Sequence, residues 1–316
     1  MPLIRGALLA LVLVLLASAQ APGQSCSFSI SNVNFGSVDV LSGGNIDTTA
    51  TLSISCTGVA LTTVRICPSI GAGSGGATAS ARRMSGPGAS LNYQLYQDAA
   101  RTTVWGSYDW GLPGTPPTID LALGAGGSAS TSRTIYARLS GGQSSAPAGS
   151  YVSNFTAADT SFVYATLGVP PCPNLLLPQT AHPTFSATAT VVNNCLVTPQ
   201  DIDFGAHGML TANIDANGLL SVTCTPSTAY TIGLNGGTAN AAPGARQMTK
   251  GGETITYALY QNSARTQLWG NTIGTDTVAA AGTGLAQNFT VYGRVPPQAS
   301  PSAGTYTDTI VVTVTY

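Results

Sequence analysis

The stretch Tyr93–Gly106, YQLYQDAARTTVWG, returns as YALYQNSARTQLWG at Tyr257–Gly270. Nine of the fourteen positions are identical, and the two copies lie 164 residues apart. The Tyr-x-Leu-Tyr sequence places side chains alternately on the two faces of a strand, so the stretch predicts a β-strand. A period this long indicates a duplicated domain, because solenoid repeats run about 20–50 residues.

The duplication extends to both sides of this stretch. A cysteine, a Phe-Gly pair and a second cysteine precede it in each copy, and an Ala-Gly-x-Tyr sequence follows it. Short alternating runs between clusters of Gly, Pro, Asn and Ser predict strands, and no sustained helical periodicity is present after residue 19. The fold class we predict is all-β, with two tandem immunoglobulin-like β-sandwich domains. The corresponding residues are Cys26, Phe35-Gly36, Cys56 and Ala148–Tyr151 in the first copy, and Cys195, Phe204-Gly205, Cys224 and Ala303–Tyr306 in the second.

The N-terminal residues 1–19 have the features of a cleaved secretory signal peptide. Arg5 supplies the positive charge, an apolar run spans 7–17, and Ala17-Ser-Ala19 is a small-residue cleavage site. A retained anchor is the alternative, although a run of eleven apolar residues is too short to span a bilayer. The mature chain is long enough for two domains.

The composition points to a neutral, exported protein. Charged residues make up 7% of the chain and the net charge is −1, whereas ordinary soluble domains have about 25% charged residues. Such a chain lacks the basic surface that nucleic acids require, so no nucleic-acid partner is predicted. A surface of Ser, Thr, Asn, Gln and Gly favours a structural or adhesive protein over a cytosolic enzyme.

Six cysteines in an exported chain predict three disulfides. Cys26–Cys56 and Cys195–Cys224 occupy equivalent positions in the two copies, which leaves Cys67–Cys172 as the third pair. No CxxC motif or pair of histidines accompanies the cysteines, so no metal site and no cofactor is predicted. His182 and His207 are the two histidines, and no carboxylate pair or nucleophile motif accompanies either, so we predict that the chain is not an enzyme.

The combination of the two cysteines, Phe-Gly, Tyr-x-Leu-Tyr…Trp-Gly and Ala-Gly-x-Tyr resembles the spore coat protein U family, which includes pilins of archaic chaperone–usher fimbriae. A two-domain member resembles the tip adhesin of such a pilus, an N-terminal binding domain on a C-terminal pilin domain. The resemblance implies that each pilin lacks one strand and receives it from the N-terminal extension of a neighbouring subunit. It also implies a periplasmic chaperone, an outer-membrane usher and an extracellular position at the pilus tip.

The resemblance divides the chain into a tip domain (20–178), a linker with a donor strand (179–194) and an incomplete pilin domain (195–316). Residues 184–192 lie directly before Cys195, where a pilin has its donor strand. We predict that this strand completes the first domain in cis and that the second domain keeps an open groove. Its apolar face consists of Phe185, Ala187, Ala189 and Val191.

The two ends of the mature chain carry further expectations. Residues 20–25 are too few for a donor strand of about ten residues, so the chain is expected to accept a strand and give none, as a capping subunit does. At the other end, Tyr306–Tyr316 is predicted to form one alternating strand. We expect this strand to be the edge on which the chaperone or the donated strand docks, although it is equally compatible with a final core strand. Its inward-facing residues are Ile310, Val312, Val314 and Tyr316.

The first copy has apolar loop residues that the second copy lacks, and exposed apolar loops indicate an interaction site. They are Tyr108, Trp110 and Leu112 after the repeated Trp-Gly, and Leu167, Val169, Leu175, Leu176 and Leu177 in a Pro-rich segment, 167–178, which we call the connector and which Cys172 tethers. We predict that they attach a pilus tip to an abiotic or host surface during biofilm formation. The alternatives are that they fold into the core or the interdomain joint, that Tyr108 and Trp110 bind glycans as in a tip lectin, or that the chain is a secreted spore or cell coat protein.

Overall fold

The computed structural model describes residues 23–166, 170–172 and 174–316, so the predicted signal peptide, 1–19, lies outside the described residues. Within these ranges the chain consists of strands and loops, which confirms the all-β fold class. No helix in the described ranges is long and apolar enough to cross a membrane.

The first domain contains twelve strands in two sheets. One sheet has the order β1-β3-β8-β6-β5-β9-β12-β2, and the other has the order β11-β10-β4-β7. The strands are β1 Ser25–Ile30, β2 Val33–Val38, β3 Ile46–Thr57, β4 Thr63–Ile70, β5 Arg82–Ser85, β6 Ser90–Tyr96, β7 Ile119–Ala122, β8 Ser128–Leu139, β9 Gly149–Phe155, β10 Thr160–Ala165, β11 Gln179–Ala181 and β12 Phe185–Val191.

The second domain repeats this plan with eight strands. One sheet has the order β13-β14-β19-β17-β16, and the other has the order β18-β15-β20. The strands are β13 Cys195–Pro199, β14 Ile214–Cys224, β15 Ala229–Leu234, β16 Arg246–Lys250, β17 Glu253–Tyr260, β18 Val278–Ala281, β19 Gln287–Val295 and β20 Val312–Thr315.

The same buried residues fasten the two sheets together in both domains. Trp105 and Trp269 are buried, and their indole Nε1 groups donate to the carbonyls of residues 68 and 232 at 2.8 and 2.9 Å. Arg82 and Arg246 are fully buried, and each donates to the carbonyl of its own domain's tryptophan, at 2.8 and 2.7 Å. Burial lowers the pKa of Arg82 to about 10, so it remains charged at neutral pH. The second domain can therefore be compared with the first position by position.

The disulfides join Cys26 to Cys56, Cys67 to Cys172 and Cys195 to Cys224. The first joins β1 to β3 and the third joins β13 to β14, at equivalent positions of the two domains. The second ties the connector after β10 to the outer face of β4, since Val64 and Ile66 point into the main core and Cys67 does not.

The C-terminal segment forms two short pairings, where the sequence pattern predicts one strand over Tyr306–Tyr316. Thr307 bridges Thr249 of β16, and the chain then crosses to the other sheet, where β20 pairs with β15. The prediction of one strand is wrong because alternation of apolar residues shows which side chains point inward but does not show at which residue a strand changes its sheet.

A short linker, Val192–Asn194, joins the domains and is hydrogen-bonded on both sides. The amide of Val192 donates to the carbonyl of Val38 at 3.0 Å, and Asn194 Nδ2 donates to Asp39 Oδ2 at 2.9 Å. From the second domain, Thr228 Oγ1 donates to Asn193 Oδ1 at 2.8 Å. These bonds fix the linker to both domains.

Candidate functional site

Strand β12 lies inside the first sandwich although it follows the connector. It pairs antiparallel with β9 over seven residues and parallel with β2 on its other side. All four residues of its predicted apolar face, Phe185, Ala187, Ala189 and Val191, are buried. The ring of Phe185 stacks on that of Phe155 with centroids 4.1 Å apart.

Strand β11 precedes β12 and extends the same segment onto the second sheet. It pairs with the outer edge of β10, from Phe162 to Tyr164. Between the two strands the chain bends at 182–184, where Thr160 Oγ1 donates to the carbonyl of Pro183 at 2.8 Å. Residues 179–191 thus complete both sheets of the first domain as one continuous segment.

No strand occupies the corresponding place in the described part of the second domain. Ile202–Gly208, which corresponds to β2, and Thr305–Ile310, which corresponds to β9, face each other across an open groove. Two cavities of about 510 and 690 Å³ lie along it and share Ile202, Phe204, Met248 and Tyr306 as lining residues. The groove therefore has the location and the sides of the one that β12 fills in the first domain.

Exposure of equivalent side chains shows what the missing segment leaves uncovered. Eight side chains of β2, β5, β9 and β10 are buried in the first domain, and their counterparts in the second domain are at least partly exposed. The pairs are Val33 and Ile202, Phe35 and Phe204, Met84 and Met248, Tyr151 and Tyr306, Ser153 and Asp308, Phe155 and Ile310, Phe162 and Val314, and Tyr164 and Tyr316.

The predicted docking edge has two parts in the structure. Ile310 and Val312 line the groove. Val314 and Tyr316 are not among its lining residues. Val314 belongs to β20 and is half-buried on the core, and Tyr316, directly after β20, is 55% exposed. This end of β20 corresponds to the edge of β10 that β11 covers.

Sequence reasoning missed the side of the groove formed by Ile202–Gly208, although its Phe-Gly pair is repeated in both copies.

The polar groups of the groove surround Asp308. Its carboxylate accepts hydrogen bonds from Thr238 N at 2.8 Å, from Thr238 Oγ1 at 2.7 Å and from the hydroxyl of Tyr257 at 2.7 Å. Burial opposes the charge of Asp308, but these hydrogen bonds outweigh it and hold the pKa of the carboxyl below its usual value. Across the described ranges, no group of three or more His, Cys, Asp or Glu side chains is arranged to hold a metal ion.

Of the predicted loop residues Tyr108, Trp110 and Leu112, the first two lie against the outer face of β4 and the glycine that follows it. The amide of Tyr108 donates to Ser69 Oγ at 3.2 Å, and the ring of Trp110 packs over Gly71, where an added Cβ would lie 3.2 Å from it. Tyr108 is 40% exposed, whereas Trp110 and Leu112 are half-buried. Trp110 therefore presents part of its ring to solvent and uses the rest for packing.

The Pro-rich connector also lies on the outer face of the sheet that contains β4. The prediction that Leu175 is exposed is wrong, because this residue is buried in a small cluster with Cys67 and Ala165, against which Cys172 packs. Leu176 and Leu177 are 60% and 83% exposed. Leu167 and Val169 lie outside the described residues. Because Cys67 and Ser69 are two residues apart on one face, the connector and the Tyr108 loop are neighbours.

A further apolar loop, residues 58–62 between β3 and β4, was missed by sequence reasoning. Leu61 is 80% exposed and Val59 is half exposed. Leu61 and Leu177 both have positive φ, 60° and 47°, a conformation that branched apolar residues rarely adopt. The only signal in the sequence was the run Val59-Ala-Leu61 after a glycine, which is too short to separate a loop from a strand.

The strand directions place this loop at the end away from the second domain. Strand β1 starts beside Thr57, and β2, which runs in the same direction, ends at Val38 beside the linker. The loop 58–62 follows Thr57, and β11, which follows the connector, pairs with the end of β10 near Ala165. Leu61, Leu176 and Leu177 therefore belong to the far end of the first domain, and Tyr108 and Trp110 to its flank.

Comparison with known proteins agrees with this duplicated architecture. The family described as the Spore Coat Protein U domain matches residues 11–158 and 181–313. "Protein U" of Myxococcus xanthus is 34% identical over 128 residues, which are 36% of this chain and 71% of that protein. Among solved structures, the chaperone–tip adhesion subunit complex CsuC–CsuE from archaic chaperone–usher Csu pili of Acinetobacter baumannii is similar with a TM-score of 0.55 at 20% identity, over 92% of this chain and 100% of that one. At this identity the likeness concerns the fold. Because the two family matches cover both sandwiches, the chain belongs to the Spore Coat Protein U domain family.

Proposed function

We propose that this protein is the adhesive tip subunit of an archaic chaperone–usher pilus. The observation that carries the proposal is the contrast between the domains: residues 179–191 complete the first domain from within the chain, whereas the equivalent groove of the second domain is open. A protein built in this way ends an assembly with its first domain and joins the next subunit through its second. The role is structural and adhesive rather than enzymatic.

The first domain supplies the geometry of the strand that the second domain accepts. Transferred by position, the donated strand runs parallel to residues 202–207 and antiparallel to residues 304–310. Its preceding residues pair with the edge of β20 near Val314 and Tyr316, as β11 pairs with β10. The donor is the N-terminal segment of another pilus subunit. Before assembly a periplasmic chaperone covers the same apolar edge, and an outer-membrane usher exchanges the chaperone for the subunit, since an uncovered edge aggregates.

A peptide with the sequence of Gln179–Val191 is expected to bind the second domain of the full mature chain. Binding should protect the backbone amides of Thr305–Thr309 from hydrogen exchange and leave the first domain unchanged. A peptide with aspartate at the position of Ala187 should bind at least about a hundredfold more weakly, because it places a second carboxylate opposite Asp308 in a buried position.

The matched control is a peptide of the same composition whose alternation is shifted by one residue, which turns the Ser and Thr side chains toward the core. Equal binding of the original and the shifted peptide would contradict strand insertion. Protection outside residues 202–208 and 304–316 would place the binding site elsewhere.

The exposed leucines of the first domain are proposed to contact the target surface. Leu61, Leu176 and Leu177 lie at the end away from the second domain, with Tyr108 and Trp110 on the flank. Burying one leucine against an apolar surface yields about 2–3 kcal/mol, and many pili per cell multiply this effect. An abiotic or apolar host surface fits these side chains, and biofilm formation follows from such attachment.

Replacing the three leucines should abolish attachment to polystyrene without reducing the number of pili. The variant is Leu61→Asn, Leu176→Ser and Leu177→Asn, because asparagine tolerates the positive φ of residues 61 and 177. Attached cells are counted against piliation by immunostaining. The control, Leu196→Ser with Ile273→Ser, removes two exposed apolar side chains of the second domain and should leave attachment intact.

Unchanged attachment of the triple variant would disprove the role of the leucines. If attachment instead required surface glycans and depended on Tyr108 and Trp110, the tip would be a lectin. The open groove of the second domain favours a subunit of an assembly over a self-contained coat protein, because a self-contained fold would leave no groove for a partner.

A further inference from the structure

One side of the second-domain groove is the segment Gly304–Ile310, which we call the free edge. Three charged side chains form hydrogen bonds that hold this edge and the residues directly before it. They are Lys250, Glu253 and Asp308, and the corresponding residues of the first domain are Gly86, Ala89 and Ser153. Lys250 and Glu253 are the only lysine and the only glutamate of the entire chain. Although the chain has few charged residues, three of them lie at this one edge.

Lys250 and Glu253 flank the turn between β16 and β17 and hold the beginning of the edge. Lys250 Nζ donates to Ser302 Oγ at 3.0 Å and to the carbonyl of Ala303, and it lies 5.7 Å from the ring centroid of Tyr306. Glu253 accepts from the amide of Ser302 at 3.1 Å, from the Ser302 hydroxyl and from the hydroxyl of Tyr306 at 2.9 Å. Both charged groups are therefore used to fix residues 302–306.

Asp308 holds the middle of the same edge. Thr238 donates to it with its amide and its hydroxyl, and Tyr257 donates with its phenol. Thr238 belongs to the loop after β15, and Tyr257 belongs to β17 of the other sheet. Asp308 thus ties the edge to both sheets of the sandwich.

Backbone pairing with two strands holds the equivalent edge of the first domain, and its side-chain hydrogen bonds involve uncharged groups such as Ser74 and Ser153. There β9 pairs with β12 over seven residues and with β5 at Ser85–Val152. In the second domain, backbone hydrogen bonds hold Gly304–Ile310 only at Thr249–Thr307, as far as the described residues extend. The charged contacts occur where the backbone partners of a strand are missing.

We infer that Lys250, Glu253 and Asp308 are positioning residues that keep the edge of the empty groove in place until a strand enters. The inference rests on the proposed function, since it concerns the groove that accepts the strand. Once seated, the donated strand supplies the backbone pairing that β12 supplies in the first domain, and the charged contacts are then no longer required.

The test compares the full mature chain with two variants, Lys250→Met with Glu253→Gln, and Asp308→Ser. In the absence of peptide, the amide of Thr307, which donates to the carbonyl of Thr249 at 3.2 Å, should exchange at least about tenfold faster in both variants, because the side-chain hydrogen bonds that hold the edge are lost. The variants should also bind the Gln179–Val191 peptide more slowly. With the peptide at saturation, the exchange of the Thr307 amide should equal that of the wild type. Lys250→Arg should preserve the wild-type behaviour.

The control Asp215→Asn removes a charge of the ion pair with Arg294, 2.7 Å apart on β14 and β19, and should leave exchange at the edge unchanged. If the variants exchange and bind as the wild type does, the positioning role is refuted while the proposed function stands. If the wild type itself fails to bind the peptide, the proposed function fails, whereas faster exchange in the peptide-free variants would still support the positioning role. Equally fast exchange with and without saturating peptide in a variant would also overturn the inference, because the contacts would then be needed for the fold itself.

Discussion

Ala187→Asp is expected to destabilise the first domain by more than about 4 kcal/mol, because it buries a carboxylate without a partner. Ala187 is fully buried, and it pairs with Ser153 of β9 and Val33 of β2. There is no cation opposite it in either strand. The larger side chain would also separate two strands that β12 joins, so the loss exceeds that of an ordinary core substitution.

The matched control is Thr190→Asp, which introduces the same charge into the same strand at an exposed position. Urea unfolding followed by the fluorescence of Trp105 and Trp110, in a Trp269→Phe background that removes the third tryptophan, measures the first domain separately. Ala187→Asp should unfold at a much lower urea concentration, and Thr190→Asp should unfold as its parent does. Equal midpoints for the two variants would show that β12 is dispensable for the first domain.

The sequence predicts the strands well where a local pattern determines their structure. The alternation of Phe185, Ala187, Ala189 and Val191 predicts a strand with one apolar face, and the structure contains it as β12 with these side chains buried. The repeated Tyr-x-Leu-Tyr and Trp-Gly sequences predict a duplicated sandwich for the same reason. Period-2 alternation is a property of the strand itself, so it can be read without tertiary contacts.

Features that depend on contacts between distant residues are not predictable in this way. Leu175 and Leu177 have the same side chain two residues apart, but Leu175 is buried in a cluster with Cys67 and Ala165, against which Cys172 packs, whereas Leu177 is exposed. Asp308 lies in an alternating run where its counterpart is a serine. Its role becomes visible only when Thr238 and Tyr257 are seen to donate to it.

Appending a copy of Gln179–Val191 after Tyr316 is expected to close the second domain and stabilise it by on the order of 5 kcal/mol, through burial of the apolar side chains that now line the groove. The first domain shows the linker length that is required. Strand β10 ends at Ala165 and β11 begins at Gln179, so residues 166–178 bridge the two positions. A flexible Gly/Ser linker of the same length should therefore let the appended segment pair with β20 and then enter the groove, at the millimolar effective concentration of a short tether.

The variant with the appended segment, here called the closed variant, tests whether the second domain joins the pilus through its groove. Its second domain should melt at a higher temperature and should no longer bind the Gln179–Val191 peptide, and cells that produce it should lack it on their pili, since its joining site is filled. The appropriate control carries the same linker and an appended segment with aspartate at the position of Ala187, which would place a second carboxylate opposite Asp308. That control should keep the wild-type melting temperature and bind the peptide. In the closed variant, the appended strand and the peptide would compete for the same backbone groups. If the variant still bound the peptide and still reached the pilus, the groove between Ile202–Gly208 and Thr305–Ile310 would therefore not be the joining site.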